Sequence, residues 1–461
     1  PAVIWWAYST VFDLPTFRLR VYPLLAVMSV AISIGVVGLT TLAACRVSLR
    51  EKPAALLLPR APAAGKRIFL ERIGPLWRRM SFSQKTTARN MFRYKKRFYM
   101  TVLGVAGCTA LLLIGFGLQD SIVEIVSRQY GTIQKADLTI SLSSDKALDL
   151  DGGLTDTLAS RDEVESWGAF YTRTVSVYDS EEDAAELSVT LVAADGPQKM
   201  SEYFTLRSPS GSELPFIDGS VVLSEKTAEL LGVSAGDSIW VQGTDGSRVE
   251  LTLTGVAQNY LGAYLYVTEN ALQRLVADPA WNTVYARTTC ATDTERQTLS
   301  TVLLGCNYVS GTAFTADTAA MYDSTITCIN YVVLLIIVCA AALAAVVLYN
   351  LISVNIGERK KELATIKVLG FFDKEVYRYI FREIELLSVI GAVLGLVIGT
   401  LMHQFVIRTV ESEQMMFIRT LEPTSFVYSV ALTLLFTVVV CRLMRRQVRA
   451  ISMVESMKAP E

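Results

Sequence analysis

Residues 95–118 read KKRFYMTVLGVAGCTALLLIGFGL, three cations followed by an uncharged apolar run. A bilayer core of about 30 Å is crossed by about 20 apolar residues wound as a helix, and Tyr99–Leu118 meets that requirement. The chain on its two sides differs sharply in charge. Upstream, Arg46–Tyr99 holds fifteen Lys/Arg against Glu51 and Glu71. Downstream, Gln119–Thr327 holds twelve Lys/Arg against thirty Asp/Glu. Basic segments beside a span stay cytoplasmic, whereas a long domain crosses largely regardless of its charge. The formal net charge of −1 conceals this separation. The pattern predicts an α-helical membrane protein with a large extracytoplasmic domain.

Four further windows satisfy the same criterion. Val21–Cys45, Ile326–Tyr349 and Leu386–Ile407 contain no Asp, Glu, Lys or Arg, and Thr424–Cys441 is shorter but also uncharged. One charge at the bilayer midplane costs roughly 3 kcal/mol, so five charge-free windows in a chain this polar elsewhere predict five transmembrane helices rather than buried core helices. No cleavable signal pattern opens the chain, and Pro1 is no natural start, so the sequence reads as a piece of a longer or processed protein.

The basic loops then set the topology. Residues 1–20 fall outside, the basic linker 46–98 inside and the domain 119–325 outside. Residues 350–385 (Arg359, Lys360, Lys361, Lys367, Lys374, Arg378) fall inside, 408–423 outside, and the tail 442–461 (Arg442, Arg445, Arg446, Arg449) inside. Every assignment obeys the positive-inside rule, a real check because one missed span would invert all later ones.

A weak internal repeat accounts for the first span. Leu14-Pro15-Thr16-Phe17 precedes a span with a basic exit at Arg46 and Arg50, followed by Glu51-Lys52-Pro53 and Leu56-Leu57-Leu58-Pro59. Near the end, Glu422-Pro423-Thr424-Ser425 precedes a span with a basic exit at Arg442–Arg449, followed by Glu455, Lys458 and Pro460. Both copies run outside to inside, so the repeat is parallel, as in many transporters. Span 21–45 then ends a preceding unit, and residues 99–461 form the second.

The outside domain reads as mixed α and β. Ala136–Leu142, Val175–Tyr178, Leu187–Ala194, Ser238–Gly243, Val249–Ala257 and Leu261–Val267 are β-prone runs bounded by turn residues. Ser224 and Thr268 are placed to cap helices over Ala228–Leu231 and Ala271–Leu275. Val284–Thr288, Asp293–Leu304 and Asn307–Val309 read as strand, helix, strand, and Gln119–Gln134 as a helical continuation of the second span. Cys290 and Cys306, the only cysteines outside, bracket the 293–304 helix; a disulfide and two free thiols both remain open.

Residues for catalysis are missing. The single histidine, His403, lies inside a span, so neither a Ser/His/Asp triad nor a histidine zinc site can be built. No Walker-type phosphate loop occurs, and the acidic clusters lack the ordered ligand spacing of a calcium site. No catalytic residue, metal or cofactor is expected, nor a nucleic-acid partner.

Three features carry mechanism instead. Gly391, Gly395 and Gly399 recur every fourth residue on one face of the fourth span, which suits close helix packing where lipid offers no hydrophobic drive. Before the second span, Arg89, Phe92, Arg93, Lys95, Lys96 and Arg97 suit an amphipathic helix on the inner membrane face. Between the third and fourth spans, Glu358, Arg359, Lys360, Glu362 and Lys367 are interleaved with Leu363, Ile366, Val368 and Leu369 and end at Gly370. A solvated loop has no need of that apolar face; a helix docking on a partner does.

At these residues the chain resembles a known family. ERKKELATIKVLGF (358–371) and TARNMFRYKKRFYMTVLGVAG (87–107) resemble the FtsX-like permeases, which include the MacB-type transporters. The order of span, large outside domain and three further spans is similar too, over about residues 80–461. The resemblance implies a non-catalytic permease subunit beside a separate ABC ATPase that contacts Glu358–Gly370 and drives the outside domain. Export or extraction of a peptide, lipid-linked or amphiphilic substrate is the expectation. The alternative is a signalling permease controlling a cell-wall hydrolase or sensing a peptide. Expected partners are the ATPase, the lipid bilayer of the plasma membrane, a second permease copy or repeat, and an extracytoplasmic substrate or protein.

Overall fold

A computed structural model of the chain describes residues 9, 22–49, 85, 95–143, 153–181, 186–244, 246–276, 279–358 and 360–449. The repeat motifs at 14–17 and 51–59, with Arg89, Phe92, Arg93, Arg359 and the tail after Arg449, lie outside these residues. The described helices are α1 (Pro23–Leu49), α2 (Lys95–Val123), α3 (Ile125–Arg128), α4 (Leu154–Ser160), α5 (Pro197–Tyr203), α6 (Glu225–Leu231), α7 (Glu269–Leu275), α8 (Asp293–Leu304), α9 (Thr315–Glu358), α10 (Lys360–Val368), α11 (Asp373–Val410) and α12 (Pro423–Arg449). Among them, five are long and apolar enough to cross a membrane, namely α1, α2, α9, α11 and α12. Each outruns its charge-free window, because helix propagation carries on into the flanking polar residues once nucleated. Lys95, Lys96 and Arg97 belong to α2 as it is described, while the remainder of the expected surface helix lies outside the described residues.

By its contacts the chain divides into two compact units, Pro1–Cys108 with Ala342–Gly395 and Leu432–Glu461, and Thr109–Ala341 with Leu396–Ala431. The first has a core of Val105, Ala344, Leu348, Ile352, Leu363, Val376, Ile380, Phe381, Val440 and Met444, contributed by α2, α9, α10, α11 and α12.

The second unit contains a ten-stranded mixed sheet. Its strands are β1 (Leu138–Leu142), β2 (Val164–Tyr178), β3 (Leu187–Ala194), β4 (Val221–Ser224), β5 (Ser238–Gln242), β6 (Arg248–Thr252), β7 (Gly255–Ala257), β8 (Tyr264–Thr268), β9 (Thr283–Thr288) and β10 (Val309–Phe314). The main path runs β10-β1-β9-β2-β3-β8-β4-β7, with β5 bridging β2 to β6. Among the described strands only β3–β8 and β4–β7 pair in parallel. One core beneath the sheet gathers Val177, Val189, Leu191, Leu223, Ile239, Leu265 and Leu272; another stacks Phe170, Tyr203, Phe204, Tyr266 and Tyr285.

Several expected boundaries move, each for a local reason. β2 starts at Val164, not Val175, because it pairs with β9 along its first half and β3 along its second. Glu165, Gly168 and Arg173 interrupt the apolar alternation there, but the ladder on both sides needs only backbone. The single run 249–257 is two strands: Leu253 and Thr254 donate backbone hydrogen bonds to Asp237 and Val221, handing the chain from β5 to β4. Ser224 and Thr268 hold N-cap positions without capping. Their hydroxyls accept instead from the backbone of Tyr264, at 3.2 Å, and Gly219, at 3.1 Å. After α2 the chain stays helical, though interrupted at Glu124 and closed by a π-helical turn, Gln129–Ile133. Such a turn often marks a functional position.

Candidate functional site

The connection between α9 and α11 begins as helix α10 and stops at Gly370, whose φ of +94° is left-handed. Phe371 N–H bonds the Ile366 carbonyl at 3.4 Å and Gly370 N–H that of Lys367 at 3.0 Å, the pair of bonds that closes a Schellman motif. Glycine is the residue that takes this conformation without a Cβ penalty. The glycine stop read in the sequence is therefore a real helix terminus.

The apolar residues of α10 do not form one outward face. Leu363 is 0% exposed and sits with Ala364 in the core of its unit, and Ile366 packs against the same cluster. Lys367 is also buried, its Nζ 3.0 Å from Asp373 Oδ1 and within 3.4 Å of the Arg449 carbonyl. Leu363, Ile366 and Lys367 hold α10 onto its own unit, which corrects their reading as a docking surface. The helical period explains the error: Leu363 and Ile366 lie three apart on one face, Val368 falls on the opposite one, and Leu369 lies past the last helical residue. Outward-facing apolar area comes from Val368 (53% exposed), Leu369 (72%), Phe371 (53%) and Phe372 (77%). Phe371 closes the segment read from the sequence, but Phe372 was missed, although F-F directly after the glycine stop was the available signal. Nothing is described for the side chains of Glu358, Lys360 and Glu362 beyond their helical backbone.

The three glycines of α11 are all buried. A Cβ on Gly391 would fall 2.7 Å from Val105 Cβ and 2.9 Å from the Val102 carbonyl oxygen of α2. One on Gly399 would lie 2.9 Å from Leu113 Cδ2 and 3.1 Å from Ala110 Cα, also on α2. His403 is fully buried with its Nε2 3.2 Å from Ser121 Oγ.

Cys290 and Cys306 are free thiols beside one core cluster of the sheet unit. Burial, together with Glu163 and Glu295, pushes the Cys290 thiol up, which leaves it less thiolate and a poor nucleophile. Among the described residues no group of three or more His, Cys, Asp or Glu is placed to hold a metal. The sheet unit has a cleft of about 560 Å³ whose lining includes Arg296, Ser300, Thr312 and Asp317, and one of about 360 Å³ lined by Leu214, Glu225, Val233 and Val256 among others.

Comparison with known proteins accounts for both halves of this architecture. Residues 101–297 match the MacB-like periplasmic core domain, and residues 334–453 the FtsX-like permease C-terminal domain. Similar solved structures include the periplasmic region of MacB from Actinobacillus actinomycetemcomitans, 12% identical with a TM-score of 0.28, covering 41% of this chain and 92% of that one. The extracellular domain of the noncanonic ABC-type transporter YknZ from Gram-positive bacteria is 18% identical with a TM-score of 0.26, covering 39% and 99%. No curated protein matches the sequence. With the core-domain match over β1–β9 and the permease match over the last three membrane helices, the chain joins a MacB-like periplasmic core domain to an FtsX-like permease C-terminal domain.

Proposed function

We propose that this chain is a permease subunit in which a separate ABC ATPase drives movement of the extracytoplasmic domain, exporting or extracting a peptide, lipid-linked or amphiphilic substrate. Permeases of this family are generally non-catalytic and imply an ABC ATPase partner. The observation carrying the proposal is the apolar tip Val368–Phe372, exposed among the charges of the connection between two membrane helices. Contiguous apolar surface in a polar setting marks a partner site. The basic residues around it favour the cytoplasmic side for the tip, where an ATPase would be. Leading up to it, α9 is one helix of 44 residues, about 66 Å at the helical rise, roughly twice the bilayer core. A helix passes on displacement that a loop would absorb.

The test is to exchange tip residues for charge. In Leu369→Asp/Phe372→Asp an unpaired carboxylate would have to be desolvated on docking, which weakens ATPase binding by roughly a hundredfold or more. Both side chains are exposed, so the melting temperature should hold. Unchanged ATPase retention together with unchanged transport would refute the coupling role.

A further inference from the structure

Between α11 and α12, the short segment 411–419 is held to the sheet domain by contacts that the proposed function does not use. The Glu411 side chain is 0% exposed, with Lys226 Nζ of α6 2.7 Å from Oε2. Arg419 donates to the same carboxylate through Nε at 3.1 Å and Nη2 at 2.8 Å, and the Phe417 N–H adds a longer bond at 3.4 Å. The guanidinium also forks onto Glu229 of α6, with Nη1 2.8 Å from Oε1 and Nη2 bonded to Oε2.

Backbone bonds reinforce the side chains. Gly262 N–H donates to the Gln414 carbonyl at 2.8 Å, Met416 N–H to the Tyr260 carbonyl at 3.0 Å, and Ile418 N–H to the Ser121 carbonyl at 3.3 Å. Behind residues 260–262 stands the π-helical turn. Gln129 Oε1 accepts from Tyr260 N–H at 2.9 Å, while its Nε2 donates to Asn259 Oδ1 at 2.9 Å. Met416, Phe417 and Ile418 are buried, Phe417 and Ile418 in a cluster with Ile122, Ile125, Tyr260 and Ile407.

A surface ion pair would contribute almost nothing here, but Glu411 is not at the surface. A buried carboxylate with two cations bound is strongly destabilised when a partner is removed, so the contact is closed or absent, with little between. We infer that residues 411–419 are a clamp fixing the outer ends of α11 and α12 to helix α6, so that these ends and the domain move as one body. Chain connectivity alone ties the domain to the membrane through α2 and α9. Two tethers leave a hinge; a third removes it.

The clamp is not a neutral-pH switch. Burial alone would raise the Glu411 carboxyl, but hydrogen bonds from Arg419 and Lys226 outweigh it and hold the group below its usual 4.5. Glu229 is likewise held down, chiefly by Arg419, with Arg408 and Lys226 assisting, while burial raises nearby Glu225. The stability that Glu411 and Glu229 contribute is complete above 4.5 and is lost only as pH falls below it.

Hydrogen exchange on the full chain in lipid nanodiscs tests the clamp. Glu411→Gln should speed exchange of the Gly262 and Met416 amides by roughly a hundredfold while Leu191 and Val192 at the sheet centre keep their rates. Gly262 and Met416 rates within twofold of the parent overturn the clamp. Should this variant fail to fold, salt on the unaltered protein decides. A buried pair is little screened, so 1 M salt leaves the two amides unchanged, whereas tenfold faster exchange makes the contacts exposed pairs and overturns the inference. Spin labels at Leu230→Cys and Ser412→Cys should give one narrow distance at rest and, if the ATPase reading holds, during ATP turnover. A second distance in the resting protein overturns the one-body motion whatever the ATPase does.

Discussion

At Gly391 there is no room for a methyl group, because the nearest atoms include a backbone carbonyl that no rotamer change can move. Gly391→Ala should therefore destabilise the protein by about 1–3 kcal/mol, read as a lower melting temperature in detergent. Gly107 of α2 has nothing within 4 Å of its Cβ position, so Gly107→Ala should change the melting temperature little or raise it slightly. Equal losses in the two variants would mean that close packing is not what Gly391 provides. The every-fourth spacing of these glycines was legible because it follows from the helical repeat, but the identity of the neighbour was not. Glu225 supplies a second prediction with the opposite sign to Glu411. Its carboxyl is raised by burial, against the pull of Arg419, so its ionisation weakens the folded state at neutral pH. Glu225→Gln should raise the melting temperature at pH 7 and leave it unchanged below about pH 4, where the parent carboxyl is protonated folded and unfolded.

In helix α10 the two apolar sets behave differently because only one is spent on the fold. Leu363→Ala empties a fully buried position and should cost about 2–5 kcal/mol. Leu369→Ala, at a position 72% exposed, should lie within about 0.5 kcal/mol of the parent by thermal melting. A Leu363→Ala variant as stable as the parent would free that residue for a partner and restore the docking face read from the sequence. Element existence was readable wherever one period ran clean, as for β3 and α8, whose bounds match the sequence reading. It failed for the first half of β2 and for β4, where pairing to distant strands, not local pattern, makes the strand. Glu411 and Arg419 left only a faint trace, two opposite charges bracketing Met415–Ile418 in the short connection between α11 and α12.

For the whole molecule the central prediction is orientation. In a background without the seven native cysteines, a membrane-impermeant thiol reagent added outside should label Ser160→Cys and Gln414→Cys, both at exposed positions. It should not label Leu369→Cys until the membrane is opened. Labelling of Leu369→Cys in intact cells would invert the topology argued from the basic loops. Five described helices long and apolar enough to cross a membrane, and a mixed α/β domain, were determined by the sequence by itself, because a bilayer reads local composition: each span is selected by its own apolar length. Tertiary structure alone decided which apolar residues face outward at α10, where β2 begins, and that Glu411 is buried beneath Arg419 and Lys226. Those outcomes depend on partners far away in the chain, and no local period or composition encodes which side of a helix, or which loop, a distant segment will cover.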